Sequence, residues 1–159
     1  MSAARGFRRL FACACICLVP AGSRATDIDV NGNWSRTVDR SDLIAGAGTG
    51  LVPAVESAAG IATVDVLNTS GASWVVRVSR SDIDWPVGVG VEIRRSSADS
   101  GINGGADYLA INASTQDFFS GSGDRSGIAI QIRITGLSLN TLPSSYSLAL
   151  VYTVQSPAP

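Results

Sequence analysis

The stretch that decides the fold reads Gly127-Ile-Ala-Ile-Gln-Ile-Arg-Ile-Thr135. Ile128, Ile130, Ile132 and Ile134 fall on one face, and Ala129, Gln131, Arg133 and Thr135 on the other. Strict alternation over this length is the period of a half-buried β-strand. A second run, Tyr146-Ser-Leu-Ala-Leu-Val-Tyr-Thr-Val154, repeats it. The two runs are expected to form the spine of one β-domain.

The same period recurs upstream. Ile28, Val30, Gly32 and Trp34 alternate with Asp29, Asn31 and Asn33 in a thin first strand that reads as an edge. Ile61 to Asn68 puts Ala62, Val64 and Val66 on one side. Ser73 to Arg80 points Trp74, Val76 and Val78 inward. Val87 to Arg95 points Val87, Val89, Val91 and Ile93 inward. A short strand is expected over Tyr108–Asn112 and another over Gln116–Phe119, where Phe118 and Phe119 cannot both face the core from a regular strand. Residues 37–59 and 96–107 read as small-residue loops, the first with a turn of helix over Pro53–Ser57. No helical stripe of useful length interrupts this pattern. About seven to eight short, mainly antiparallel strands between Gly, Ser, Asp and Asn turns predict an all-β fold, a single Ig-like or jelly-roll-like β-sandwich.

The domain is expected to span 26–159, with 155–159 as a tail. Arg5, Arg8 and Arg9 precede an apolar run, Leu10 to Pro20, too short to cross a bilayer, and Ser23-Arg24-Ala25 supplies small residues at a cleavage site. Residues 1–25 therefore read as a secretory signal, which predicts an exported protein at the cell surface. Leu10-Phe11-Ala12-Cys13 has the look of a lipidation site, but the apolar run follows the cysteine instead of preceding it. Cleavage after Ala25 would remove all three cysteines, Cys13, Cys15 and Cys17. The remainder would hold 8 Arg against 13 acidic residues, a net charge of −5 where the whole chain has −1. An acidic domain without Lys is a poor ligand for nucleic acid or an anionic membrane.

The chemistry is bounded by what is missing. The chain contains no His and no Lys. A processed domain without Cys has no means to build a Ser-His-Asp or Cys-His site, a Schiff base or a Cys/His zinc site. Paired carboxylates remain, with Glu56 and Glu92 as the candidates for glycosidase-type chemistry. Glu92, on an alternating strand, is better explained as a cross-strand partner of Arg77 or Arg133. Gly46-Ala-Gly-Thr-Gly50 lacks the preceding strand and following helix of a phosphate loop. Asp99, Asn103, Asp107 and Asp124 are hard oxygen ligands of the kind a structural calcium would use, but equally ordinary turn formers. No catalytic residue, cofactor or metal site is expected.

Apolar strands without Lys gatekeepers leave an edge problem. One solution is strand exchange between copies. The segment 26–34 would then present Ile28, Val30, Gly32 and Trp34 to a neighbour, and Ile128, Ile130, Ile132 and Ile134 would form the socket. Pairing of 26–34 within its own domain stays open beside it. The ending of the chain, with Pro143, Tyr146 and Tyr152 in the pattern Pro-x-x-Tyr-x-x-x-x-x-Tyr, resembles the closing strands of bacterial secreted β-sandwich surface proteins such as fimbrial subunits and spore-coat-U-type pilins. That resemblance, over roughly the last 30 residues, implies a non-enzymatic structural subunit that self-assembles into a filament or surface layer. The alternative is a carbohydrate-binding or adhesive module that meets a surface polysaccharide through Trp85.

Overall fold

The computed structural model describes residues 25–81, 85–141 and 144–156. All but the last residue of the expected signal segment, and Pro143, lie outside the described residues. The strands are β1 (Asp27–Gly32), β2 (Ala54–Glu56), β3 (Ala62–Leu67), β4 (Ser73–Ser81), β5 (Gly90–Arg95), β6 (Ile102–Gly104), β7 (Leu109–Ala110), β8 (Gln116–Ser122), β9 (Arg125–Thr135) and β10 (Ala149–Gln155). One sheet has the order β1-β3-β9-β5-β7, with β2 also paired to β9. The other has the order β10-β4-β8-β6. Every pairing is antiparallel. The run β1-β3-β9-β5 reproduces the A-B-E-D sheet of an Ig-like sandwich, and β10-β4 its F-C pair.

The core lies where alternation predicts it in β4 and β9, and on the Ala62, Val64 and Val66 face of β3. Val64 and Val66 of β3, Val76 and Val78 of β4, and Ile128 and Ile130 of β9 are completely buried, and Trp74 is 1 % exposed. Branched and aromatic side chains on facing sheets exclude water here, which is the main favourable term in the fold. Trp74 also donates its indole N–H to the Gly123 carbonyl at 2.8 Å, so its one polar atom is satisfied.

The runs 127–135 and 146–154 lie in different sheets: β9 is central in one, and β10 is an edge of the other. Five expectations are corrected. Val87 is fully exposed, because 86–89 is a turn with Gly88 at φ 85° and β5 starts only at Gly90. Phe118 and Phe119 are both buried, at 5 % and 3 % exposure. Between the facing pairs Val76–Phe119 and Arg77–Asp117 the register shifts, so β8 carries an extra residue, and this bulge turns two consecutive rings inward. They meet edge to face at 4.9 Å. Residues around Pro53 form β2 rather than a helical turn; the short 3-10 turn is Arg40–Asp42, where Asp39 and Asp42 cap each other's backbone. The loop over 96–107 contains β6, and Gln155 closes β10 instead of fraying.

One turn carries a pH dependence. Asp124 accepts from the Thr69 backbone N–H at 2.9 Å and from the Thr69 hydroxyl at 2.6 Å. Those two bonds hold its pKa below the ordinary aspartate value. A carboxylate with a depressed folded pKa contributes stability that is present above its unfolded pKa and is lost as pH falls through the folded one. The stability difference between the native chain and Asp124→Asn is therefore expected to be constant at neutral pH and to shrink below about pH 4. Urea midpoints at several pH values measure it, and a difference that grows on acidification would contradict the assignment.

Candidate functional site

The predicted exchange residues occupy two different situations. β1 is an edge strand, paired along one side only, in the register Asp27–Leu67 through Gly32–Ala62. Ile28 is half-buried against the core, Val30 is 37 % exposed, and Trp34 lies half-buried beyond the strand. Gly32 has φ 126°, and an added Cβ would stand 2.5 Å from the Ile61 carbonyl oxygen. Only glycine lets the strand close onto Ala62. On the outward face, Asp29 sits directly opposite Asp65, a like-charge pair that weakens the ladder.

The proposed socket is corrected. β9 is bonded to β3 and β2 along one side and to β5 along the other. Its isoleucines include the fully buried Ile128 and Ile130, while Ile132 and Ile134 are half-buried. No open edge runs beside it to receive a neighbour's strand over 130–135. An edge is open instead at β10, whose Leu150, Tyr152 and Val154 pack half-buried against the core. Alternation had marked this strand as buried but carried no sign of which side of it was free. Burial among apolar groups raises the Tyr152 pKa well above that of a free phenol.

Trp85 stands at one end of the sandwich, in the wall of a cavity of about 720 Å³. Pro86, Leu43, Leu51 and Tyr146 supply apolar wall, while Arg36, Asp39 and Arg40 supply charge. The indole N–H of Trp85 is spent on its own Val89 carbonyl at 2.8 Å. Arg36 pairs with the buried Asp42 carboxylate, which anchors the 3-10 turn at the cavity margin.

The carboxylate pair meets on the outer face of the larger sheet. Glu92 faces Arg133 across the β5–β9 ladder and Glu56 faces it across β2–β9. Arg133 Nε donates to Glu92 Oε2 at 2.7 Å, Arg133 Nη2 donates to the same oxygen, and Arg133 Nη1 stands 3.7 Å from Glu56. The bond to Glu92 raises the Arg133 pKa further. The guanidinium also lies 3.7 Å from the Tyr108 ring centroid, with that of Arg94 at 4.8 Å, a double cation–π contact. Burial, and then the charge of Glu56, raises the Tyr108 pKa. Both glutamates thus serve one arginine, and neither lines the end cavity. The sequence pointed to the Glu92–Arg133 pair; Glu56 went unpartnered there because β2 was not visible.

Among the described residues no cluster of three or more His, Cys, Asp or Glu side chains is placed to hold a metal ion. Asp99 is engaged by Ser97 and Arg95, and Asp124 by Thr69. No helix among them is long and apolar enough to cross a membrane. The fold and its edges define an all-β sandwich with two unequal sheets. No protein-family model, curated protein or solved structure matches the chain.

Proposed function

We propose that this chain is a non-enzymatic, exported structural subunit that self-assembles at the cell surface by exchanging β1 between copies. The observation that carries the reading is the state of β1. It is an edge strand held by one ladder, it contributes a single half-buried side chain from its interior, and it sets Asp29 against Asp65. An element that can re-form the same ladder on a second copy exchanges at little free-energy cost. Transfer of β1 onto a neighbour's β3 would preserve all six facing pairs. Electron microscopy and light scattering of the protein purified from its own cells test this. Polymers or stable oligomers are expected, and a monomer that persists at high concentration, with no polymer on the cells, contradicts it.

A second reading has one observation in its favour: Trp85 shares the end cavity with Tyr146, Ser138 and Thr141, a mixture of aromatic faces and hydroxyls that suits a sugar. Polysaccharide binding lost on Trp85→Ala would support an adhesive module. Binding to no glycan on an array would count against it.

A further inference from the structure

Among the described residues five strand edges bound the two sheets, and they are not equivalent. β2 and β6 have three residues each and β7 two, too short to template another strand. β1 carries Asp27 and Asp29 on its outward face and ends on a glycine with positive φ. β10 lacks all of these protections. It is seven residues long, Ala-Leu-Val-Tyr-Thr-Val-Gln, without a charge or a proline. Its register to β4 runs unbroken from Ala149–Ser81 to Gln155–Val75, so no bulge twists the edge away. Outwardly it presents Val151, 43 % exposed, and Thr153; inwardly it leaves Leu150, Tyr152 and Val154 half-covered. A long, regular, uncharged edge of this kind is a template for strand addition. In a complete Ig-like sandwich a further strand lies at this position, so the architecture accommodates one.

We propose that the β10 edge pairs antiparallel with β10 of a second copy, which would join two four-stranded sheets across a two-fold axis. The choice of partner rests on charge and on self-complementarity. A register centred on Tyr152 sets that residue against its own copy, Leu150 against Val154, Val151 against Thr153 and Ala149 against Gln155. Each of these pairs is uncharged, with the apolar row inside and the two Tyr152 rings facing each other. The other edges of a second copy match less well, because β1 would bring two carboxylates and β2, β6 and β7 too few residues. Next to this edge, Arg77 is already neutralised by Asp117 at 2.6 Å and bonded to Gln155, so that cation does not invite an acidic partner. The contact is isologous and does not depend on exchange of β1.

The test uses the full chain, exported and purified, in sedimentation velocity over a wide concentration range. The native protein is expected to associate. Val151→Lys with Thr153→Lys is expected to weaken association at least tenfold, because the register places the new lysines opposite each other. Both positions are exposed, and circular dichroism checks that the fold survives. Disulfide trapping then reads the register. With Cys13, Cys15 and Cys17 replaced by Ala, a Val151→Cys copy mixed with a Thr153→Cys copy should form a crosslinked heterodimer. Association unaffected by the lysines, the absence of any 151–153 crosslink, or trapping of Val151→Cys by Asp29→Cys on a neighbour's β1 would each overturn the proposal. Loss of β1 exchange would leave the 151–153 crosslink in place, so the two failures are distinguishable.

Discussion

Trp74→Ala is expected to remove about 3–5 kcal/mol of folding free energy, the range for deleting a buried aromatic from a core. Three contacts converge on this side chain. Its ring lies so close over Gly121 that an added Cβ there would stand 2.7 Å from it. It meets Phe119 edge to face, with centroids 6.1 Å apart at 80°. Its indole N–H satisfies Gly123 in the β8–β9 turn. Alanine would open a cavity between the sheets and release that turn together. Because a domain of this size has a total stability of roughly 5–15 kcal/mol, the variant should be close to unfolding or past it at physiological temperature. Trp74→Phe keeps most of the packing and loses only the hydrogen bond, so it should fall about 1–2 kcal/mol below the native protein. Equilibrium urea denaturation measures both. A loss under about 1 kcal/mol for the alanine variant would show that the core is centred elsewhere.

The second large effect concerns β1. Gly32→Val places a branched side chain where a single Cβ already stands 2.5 Å from the Ile61 oxygen and 2.6 Å from Ala62 Cα, at a φ of 126°. Those contacts are with backbone and have no rotamer to give. Strain at such a backbone position and overpacking together predict a loss on the order of 2–4 kcal/mol. The effect should be local. Val64 and Val66 belong to β3, which keeps its ladder to β9, so the sandwich can persist while β1 detaches. Hydrogen exchange should speed up along the β1–β3 ladder and stay slow in β4 and β9. If assembly proceeds by exchange of β1, the same variant should lose its polymers while remaining folded. Uniformly accelerated exchange would show instead that β1 is integral to the core.

Much of this architecture was legible before any coordinates. Alternation identified the inward faces of β4 and β9 because each carries branched or aromatic residues at every second position over at least five residues; in β3 it separated Ala62, Val64 and Val66 from Ile61, Thr63 and Leu67 without marking which face is buried. It failed where burial depends on a partner. The inward turn of both Phe118 and Phe119 follows from the register shift opposite Val76 and Arg77, which no single strand encodes. β2 is three residues long in a stretch poor in strand formers, and it exists because the end of β9 offers it an edge. The candidate site shows the same division. The thin pattern of 26–34 correctly marked an edge strand. The misplaced socket at Ile128–Ile134 arose because alternation reports which face of a strand is buried and is silent about which side of it is bonded. β9 is bonded along both sides, and β10, apolar in five of its seven residues, stands at an edge.

The exchange of β1 is tested most directly by a disulfide that can form only between copies. Asp29 and Asp65 face each other on the outward side of the β1–β3 ladder. One differently tagged copy carries Asp29→Cys, the other carries Asp65→Cys, and both have Cys13, Cys15 and Cys17 replaced by Ala. The two are co-expressed, exported and oxidised. Exchange predicts a covalent heterodimer bridged between residues 29 and 65, identified by mass spectrometry after purification through both tags. If β1 stays on its own β3, only uncrosslinked chains will be recovered, and that result would contradict the account.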